Sequence, residues 1–426
     1  MKRLLLTTSL LMLITSPKPL KASDEAMNEE RPAASWHQEV RTGPLQKEID
    51  ALPPHGRLVL PKGVHEGPIH IKTPGVTIEG APGATISAKG KESVIVISAD
   101  DVTIKGLTIT GSGTSYTQAD SGIGLRSVNN AKLLNNTIVD CLFGIDAYGG
   151  EKILIQGNTI TSKNLDLGLR GDAIRLWSAL DSEVSDNTWS HSRDVVSWYS
   201  KKILFKGNHG SDSRYSLHSM YSEHLRIQNN TFDKNKVGIF VMYGSDFIIT
   251  NNQIQRAQGA TGMGIGLKET SNIFAQNNTI NYSAVGVLVD NSPFKAGSKN
   301  WFHGNKFAFN GKGVVVSNDL KGGEFKRNIF IGNLLDVESE NRSGSRSSWD
   351  KNYWDKYEGF DQNQDNVGDT SFIIRRYGDT IKGSDPKTAF FHGTPLLTLL
   401  GLIEEVTHIG NPTIILTDHN PQLVKN

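Results

Sequence analysis

Hydrophobic and polar residues alternate in short segments that recur through the middle of the chain. Residues 214–222 and 238–244 align with an offset of 22 positions, which places Met220 on Met242. The same register covers three further segments, residues 174–177, 195–199 and 265–268. Alternate residues of a β-strand face opposite ways. The pattern therefore predicts stacked strands with one inward face and one outward face.

The two predicted faces differ in chemistry. The inward set is aliphatic or small: Ile174, Leu176, Val195, Ser197, Leu217, Ser219, Ile239, Val241, Ile265 and Leu267. The outward set, called the outward stripe below, contains Trp, Met and His: Arg175, Trp177, Val196, Trp198, His218, Met220, Phe240, Met242, Gly266 and Lys268. Exposing such side chains to water is unfavourable, so we expect something to bind on this stripe.

Asparagine marks one corner of the repeat, at Asn136, Asn158, Asn187, Asn208, Asn230, Asn252, Asn278, Asn305, Asn328 and Asn352. The number of residues between successive asparagines is typical of one coil of a parallel β-helix, so the repeat predicts this fold. In such a fold each coil buries its strands by stacking on the next. Asparagine suits such a corner because it tolerates the left-handed conformation and its amide can bond to adjacent coils. The predicted fold is all-β, a right-handed parallel β-helix of the pectin-lyase-like type with a short helical C-terminal extension.

The ends of the chain differ from the repeat. Residues 1–22 have the basic start and apolar run of a secretory signal peptide. We expect residues 23–56 to form an N-terminal tail and cap, 57–370 the β-helix and 371–426 the extension. Within that extension, Thr394-Pro395 predicts the start of an apolar helix over residues 396–408. This helix could cap the open end of the solenoid or dock on a partner, and the sequence leaves both possibilities open.

Composition narrows the possible functions. The 426 residues are 37% hydrophobic and 21% charged, an ordinary globular mixture, and the 43 glycines fit a turn-rich β architecture. The formal net charge of +1 offers no general attraction to polyanions, and no basic cluster is interleaved with aromatic residues. Nucleic acid is therefore not expected as a partner.

The outward stripe contains a candidate metal site. His218 and Met220 share one face of a predicted strand, and Met242 lies one coil away. One imidazole with two thioethers is a soft ligand set that suits Cu(I) and suits Mg²⁺, Ca²⁺ or Mn²⁺ poorly. The alternative is that both methionines fill gaps in an apolar cluster with Trp177 and Trp198. Residue types alone leave both interpretations open.

Three other groups could carry chemistry. Arg214 could pair with Asp212 or Asp194. A possible weak calcium loop has acidic and amide residues at alternate positions: Asp361, Asn363, Asp365 and Asp369. Asn366 replaces the usual glycine and Phe372 the usual glutamate, so an Asx-rich turn is the favoured interpretation. Polysaccharide lyases and epimerases also use long β-helices, but here the candidate acid, base and cation are scattered over different coils, at Asp146, Arg175 and Lys268.

The aromatic residues keep a carbohydrate interpretation open, because Trp177, Trp198 and Tyr199 could stack on sugars. A third possibility is a docking scaffold that never binds metal.

A set of short motifs resembles the NosD family: Arg214-Tyr215, His218-Ser219-Met220-Tyr221-Ser222, Met242-Tyr243, Gly266-Leu267-Lys268, Asn352-Tyr353-Trp354 and Gly359-Phe360-Asp361. The resemblance runs over nearly the whole chain. It implies a non-catalytic periplasmic protein that helps to load the copper centres of nitrous oxide reductase. The partners it implies are the membrane subunit of an ABC transporter, a copper chaperone lipoprotein and the reductase.

We expect a transient Cu(I) site at His218, Met220 and Met242. The residues expected to line this site or a partner surface are Arg214, Tyr215, Trp177, Trp198, Tyr221, Tyr243 and Lys268. The chain departs from the family pattern at Asn366, where glycine is frequent, and at Ser371-Phe372, where proline often follows the threonine. Both departures concern only the turn at the end of the predicted β-helix.

Overall fold

The computed structural model describes residues 42–317, 321–339, 345–376, 403 and 413–424. The elements whose bounds are described are a short helix, α1 (Gln46–Asp50), a 3-10 helix (Leu167–Leu169) and forty strands; Ile403 is also helical. In chain order the strands are β1 (Arg57–Leu60), β2 (Gly63–Glu66), β3 (Ile69–Ile71), β4 (Thr77–Gly80), β5 (Ala84–Ser87), β6 (Ile95–Ile97), β7 (Thr103–Lys105), β8 (Thr108–Thr110), β9 (Ser121–Arg126), β10 (Lys132–Leu134), β11 (Thr137–Cys141), β12 (Phe143–Tyr148), β13 (Leu154–Gln156), β14 (Thr159–Ser162), β15 (Ile174–Trp177), β16 (Glu183–Ser185), β17 (Thr188–Ser190), β18 (Asp194–Trp198), β19 (Leu204–Lys206), β20 (His209–Ser211), β21 (Tyr215–Met220), β22 (Arg226–Gln228), β23 (Thr231–Asp233), β24 (Val237–Met242), β25 (Ser245–Thr250), β26 (Gln253–Gln255), β27 (Met263–Lys268), β28 (Ser271–Gln276), β29 (Thr279–Asn281), β30 (Val285–Asp290), β31 (Asn300–His303), β32 (Lys306–Ala308), β33 (Lys312–Ser317), β34 (Gly323–Lys326), β35 (Ile329–Ile331), β36 (Leu335–Ser339), β37 (Ser348–Asp350), β38 (Tyr353–Trp354), β39 (Phe372–Arg376) and β40 (Thr413–Asp418).

The strands form three long sheets, because each strand pairs with the strand three places further along the chain. The pairing is parallel throughout, except between β39 and β40. The first sheet has fifteen strands and runs from β1 through β4 and β7 to β37, β40 and β39. The second has thirteen strands, from β2 to β38, and the third has twelve, from β3 to β36. Each coil contributes one strand to each sheet, so the predicted all-β parallel β-helix is confirmed.

The core is the column of inward side chains shared by the three sheets. The predicted inward positions Ile174, Val195, Leu217, Ile239 and Ile265 all belong to one continuous buried cluster. Towards the C-terminal coils the core becomes aromatic, with neighbouring rings stacked at 4.4 Å between Phe302 and Phe325 and at 4.1 Å between Phe325 and Trp349. A hydrophobic interior of this length exists only because each coil covers the next.

The asparagine corner is a buried hydrogen-bond ladder. The Oδ1 atom of Asn208 accepts bonds from the backbone nitrogen of Asn187 at 3.0 Å and from its Nδ2 atom at 3.1 Å. The Nδ2 atom of Asn208 donates to the carbonyl of Val184 at 2.8 Å. The same arrangement repeats along the sequence-predicted positions from Asn136 to Asn352. At the last rung, Asp418 replaces an asparagine and accepts from both nitrogens of Asn352 at 2.9 Å.

One detail of the predicted corner is wrong. Among the described residues, the left-handed conformation belongs to the residue before each ladder asparagine, as at Asn135, Gly157, Asp186, Gly207 and Asn229. The ladder residues themselves are not in that conformation. The preceding residue turns the chain, and the buried amide of the next residue then satisfies the backbone groups that the turn exposes.

Parts of the predicted ends lie outside the described residues. These include the signal peptide 1–22, the tail up to residue 41 and the helix predicted over 396–408, apart from Ile403. The described cap contains α1, whose Gln46 bonds to the backbone of His70. In the extension, β39 pairs antiparallel with β40, and β40 continues the first sheet next to β37. No helix within the described ranges is both long enough and apolar enough to cross a membrane.

Candidate functional site

The outward stripe lies on the third sheet with the register that the sequence predicts. His218 pairs with Val196 on one side and Phe240 on the other. Met220 pairs directly with Met242, and Met242 with Lys268. The predicted stacking of the two methionines on one face is therefore confirmed. His218 and Met220 are separated by one residue of β21 and so point to the same side of the sheet.

His218 lies in an aromatic pocket and is only 7% exposed. The ring centroids of Tyr215, Trp198 and Phe240 lie 4.8, 5.7 and 6.0 Å from that of the imidazole. Neither ring nitrogen has a hydrogen-bond partner among the described residues. Burying polar atoms without a partner costs roughly 1–3 kcal/mol each. An imidazole kept in this condition is an unusual feature of the structure and a candidate ligand.

Burial lowers the pKa of His218 to about 4, against a weaker opposing influence from the nearby Asp194 carboxylate. The imidazole is therefore neutral near pH 7, and one of its two ring nitrogens has a free lone pair. A neutral imidazole is the form that binds metal ions. The pocket thus holds the histidine in the protonation state that coordination requires.

Two methionines of the stripe, Met220 and Met242, lie on the same face of the third sheet as His218. Met220, 6% exposed, is buried and Met242 is half-buried. A third methionine, Met263, was missed in the sequence analysis. Its sulfur lies against Gly266, where a Cβ atom would collide with both this sulfur and the ring of Phe240. The residue pairs with Val237 at the start of β27, so a search of this column for sulfur would have found it.

Much of the first half of the outward stripe is covered by the chain itself, although Trp177 and Trp198 are half-buried. Arg175, Val196, His218 and Met220 are all buried. The covering groups come from the same chain: the guanidinium of Arg175 lies 4.4 Å above the ring of Phe143, and aromatic rings enclose His218. The later part, Phe240, Met242 and Lys268, is half-buried. Access to His218 is therefore restricted, and the sequence pattern alone did not show this.

Buried carboxylate–arginine pairs border the stripe, and the sequence analysis did not find them as a group. Asp146 accepts from Arg175 at 2.8 Å, and Asp172 accepts from Arg193 at 3.1 Å. Of the two carboxylates considered for Arg214, the structure selects Asp194, at 3.0 Å from Nε. The three carboxylates are each about 1% exposed. Each carboxylate is bound to an arginine, and burial raises the pKa of Asp172 to about 6 against the opposing influence of Arg193.

A ladder of aromatic rings, here called the tyrosine ladder, follows the stripe at the end of the third-sheet strands. It comprises Tyr148, Trp177, Tyr199, Tyr221 and Tyr243. Tyr199 and Tyr221 stack at 5.2 Å, and Tyr221 and Tyr243 at 4.9 Å. Trp177 contacts Tyr148, Tyr199 and Trp198. Because successive rings cover each other's faces, mainly their edges are exposed, which disfavours the expected stacking of sugars on these residues.

The possible calcium loop forms a turn that is held by its own side chains. The Asp361 carboxylate accepts from the backbone nitrogens of Asp365 and Asn366, at 3.1 and 2.8 Å. Asp369 accepts from the nitrogen of Gln362 at 2.6 Å. This is the arrangement of an Asx-rich turn. Calcium binding by Asp361, Asn363, Asp365 and Asp369 stays a prediction.

The donor set decides which metal the site could hold. Within the described residues there is no group of three or more His, Cys, Asp or Glu side chains that could hold a metal ion. The candidate ligands on this face of the sheet are the imidazole of His218, which has no hydrogen-bond partner among the described residues, and the thioethers of Met220 and Met242. Such a set matches Cu(I).

The chain is similar in sequence to a described family and to two curated proteins. The family described as "Periplasmic copper-binding protein (NosD)" matches residues 151–359, which include the whole stripe from Arg175 to Lys268. A "Probable ABC transporter binding protein NosD" of Stutzerimonas stutzeri is 24% identical over 403 residues, covering 86% of each chain. The protein of the same description from Pseudomonas aeruginosa is 24% identical over 395 residues, covering 84% of this chain and 86% of its own.

Solved structures share the fold at low identity. The N-terminal fragment of bacteriophage Phi29 gene product 12 has a TM-score of 0.56 at 13% identity, covering 71% of this chain and 66% of that chain. A family 28 exopolygalacturonase of Yersinia enterocolitica has a TM-score of 0.52 at 14% identity, covering 71% and 74%. These likenesses concern the β-helix alone. The sequence matches, in contrast, cover the residues of the stripe, and they confirm that this chain resembles the NosD family of periplasmic copper-binding proteins.

Proposed function

We propose that this protein is a non-catalytic periplasmic accessory factor that carries Cu(I) transiently at His218, Met220 and Met242 and assists maturation of the copper centres of nitrous oxide reductase. The observation that carries the proposal is the buried, neutral imidazole of His218, which has no hydrogen-bond partner among the described residues. It shares one strand face with Met220, which pairs directly with Met242. Copper is here a cargo, not a resident cofactor.

The ligand set favours release of the metal. A thiolate or carboxylate ligand would neutralise the charge of Cu(I) and bind it firmly, but an imidazole and two thioethers are all neutral. The nearest carboxylate, on Asp194, lies 3.9 Å from the Nδ1 atom of His218 and is bound to Arg214. We therefore expect labile binding, which suits a protein that passes copper to another site.

The proposed partners follow from the family. The curated relatives are named as ABC transporter binding proteins, which supports an association of this chain with the membrane subunit of an ABC transporter. A copper chaperone lipoprotein would supply the metal, and nitrous oxide reductase would receive it. Tyr199 and Tyr221 are exposed and Tyr243 is half-buried, and these residues suit protein contact because tyrosine is enriched at protein interfaces.

The direct test is an anaerobic titration of the purified protein with Cu(I) against a competing chromophoric chelator. We expect saturable binding, and we expect His218→Gln to weaken it about tenfold or more, since a tenfold change corresponds to ~1.4 kcal/mol. Glutamine retains polar groups in the pocket but removes the imidazole ligand.

His209→Gln is the matched control, because His209 is an exposed histidine on another sheet of the same solenoid. It should bind Cu(I) like the native protein. If His218→Gln and His209→Gln have equal affinities, both indistinguishable from the native value, His218 is not a copper ligand and the proposed site is wrong.

A further inference from the structure

Asp194 is the carboxylate nearest to the candidate ligand His218. Its Oδ2 atom lies 3.9 Å from the Nδ1 atom of the imidazole. The carboxylate is about 1% exposed and lies at the start of β18, one coil before the histidine. Three aromatic side chains also surround the imidazole, and neither of its nitrogens is hydrogen-bonded to the Tyr215 hydroxyl or to any other described group. Asp194 is thus well placed to determine which ring nitrogen carries the proton.

We propose that Asp194 is a positioning residue for the metal site: it holds the proton of His218 on Nδ1 and so leaves the lone pair of Nε2 for Cu(I). This inference rests on the proposed function, since it assumes that His218 is a ligand. Metal-binding histidines generally donate their second nitrogen to a carboxylate or carbonyl, which fixes the tautomer and makes the ligand more basic.

The hydrogen bonds of Asp194 leave room for this role. Its Oδ1 atom accepts from Arg214 Nε at 3.0 Å and from the backbone nitrogen of Tyr215 at 3.2 Å. Its Oδ2 atom accepts from Arg214 Nη2 at 2.5 Å. A carboxylate oxygen has two lone pairs, so Oδ2 can accept one more bond. A shift of the imidazole by about 1 Å would bring Nδ1 into the usual range of ~2.7–3.2 Å.

The alternative is that Asp194 only braces the backbone. Asp172 provides a comparison one coil earlier, because it is equally buried and binds Arg193 through Nε at 3.1 Å and Nη2 at 3.3 Å. Val196 lies in the same coil as Arg193 and pairs with His218 of the next coil, so it occupies the position that corresponds to the histidine. Asp172 therefore has the bracing role without a histidine beside it, which makes Asp172→Asn a matched control.

Asp194→Asn tests the inference with little change in shape. Arg214 and Tyr215 would keep the amide oxygen at the position of Oδ1, and the amide NH2 group would then face His218. It would donate to Nδ1 and move the imidazole proton to Nε2, as in a catalytic triad where the same substitution produces the wrong tautomer. Arg214 is 42% exposed at its side chain, so it can turn to solvent without stranding a buried charge.

Two readouts are needed. The first is the tautomer of His218 in the metal-free protein, measured from the ¹⁵N shifts of labelled histidine, with His218→Gln identifying the signal. We expect Nδ1–H in the native protein and in Asp172→Asn, and Nε2–H in Asp194→Asn. The second is Cu(I) affinity, which we expect to fall ~10–100-fold in Asp194→Asn, the usual effect of losing such a partner, and to stay unchanged in Asp172→Asn.

The outcomes separate this inference from the proposed function. A native protein with the proton on Nε2 overturns the inference, even if Asp194→Asn does not fold. It is equally overturned if Asp194→Asn keeps both the native tautomer and the native affinity while His218→Gln loses copper. If His218→Gln binds copper normally, the proposed site itself fails, whatever the tautomer is. A loss of thermal stability alone, equal in Asp194→Asn and Asp172→Asn, would show that both carboxylates only brace the fold.

Discussion

Replacing Met220 and Met242 together by leucine should leave the coils intact and remove most of the affinity for Cu(I). Leucine and methionine have nearly the same volume, and such exchanges in a packed site usually cost less than about 1.5 kcal/mol of folding stability. The exchange removes both thioethers of the proposed ligand set, which share one face of the third sheet with His218. If each sulfur contributes about a factor of ten, the double variant should bind about a hundredfold more weakly, which corresponds to ~2.7 kcal/mol.

Anaerobic chelator competition measures this affinity, and circular dichroism reports whether the β-helix is retained. In cells that depend on this protein, nitrous oxide reductase should be short of copper when the double variant replaces the native form. Met263→Leu is the control, because Met263 is not one of the three proposed ligands and its sulfur lies against Gly266; this variant should bind copper normally. Normal maturation of the reductase by the double variant would mean that the stripe is a packing or docking surface.

Much of the fold was predictable because two features of the sequence recur in each coil: the alternation of aliphatic residues and the corner asparagine. Alternation of aliphatic residues fixes which side of each strand faces the core, and a shift by one residue would reverse every side chain. The asparagine corner fixes where each coil begins again. Together they predicted that Met220 lies on Met242, and the structure shows this pairing.

The environment of His218 was not predictable in the same way. A register shift between β18 and β21 pairs Asp194 with Tyr215 but Val196 with His218, so β21 has an extra residue there. A fixed offset of 22 residues cannot show that Asp194 comes near the histidine. The burial of His218 likewise depends on rings from neighbouring coils and on their rotamers, which a pattern of residue types does not specify.

Replacing Asn230 by alanine should destabilise the protein severely. The Oδ1 atom of Asn230 accepts from the backbone nitrogen and Nδ2 of Asn208, at 3.0 and 2.9 Å. Its Nδ2 atom donates to the carbonyl of Phe205 at 3.1 Å and to Asn252 Oδ1 at 2.9 Å. All of these groups are buried. Alanine would leave several without partners, and at roughly 1–3 kcal/mol for each we expect a loss of about 3 kcal/mol or more.

The adjacent Asn229 provides the control. It is exposed and has a φ angle of 56°, a conformation that glycine adopts without strain. Asn229→Gly should therefore change the free energy of unfolding by no more than about 0.5 kcal/mol, the usual range for a surface substitution. Urea unfolding followed by circular dichroism compares the two variants. Equal midpoints for Asn230→Ala and the native protein would show that the buried amides add no net stability, and that stacking of the hydrophobic core alone holds successive coils together.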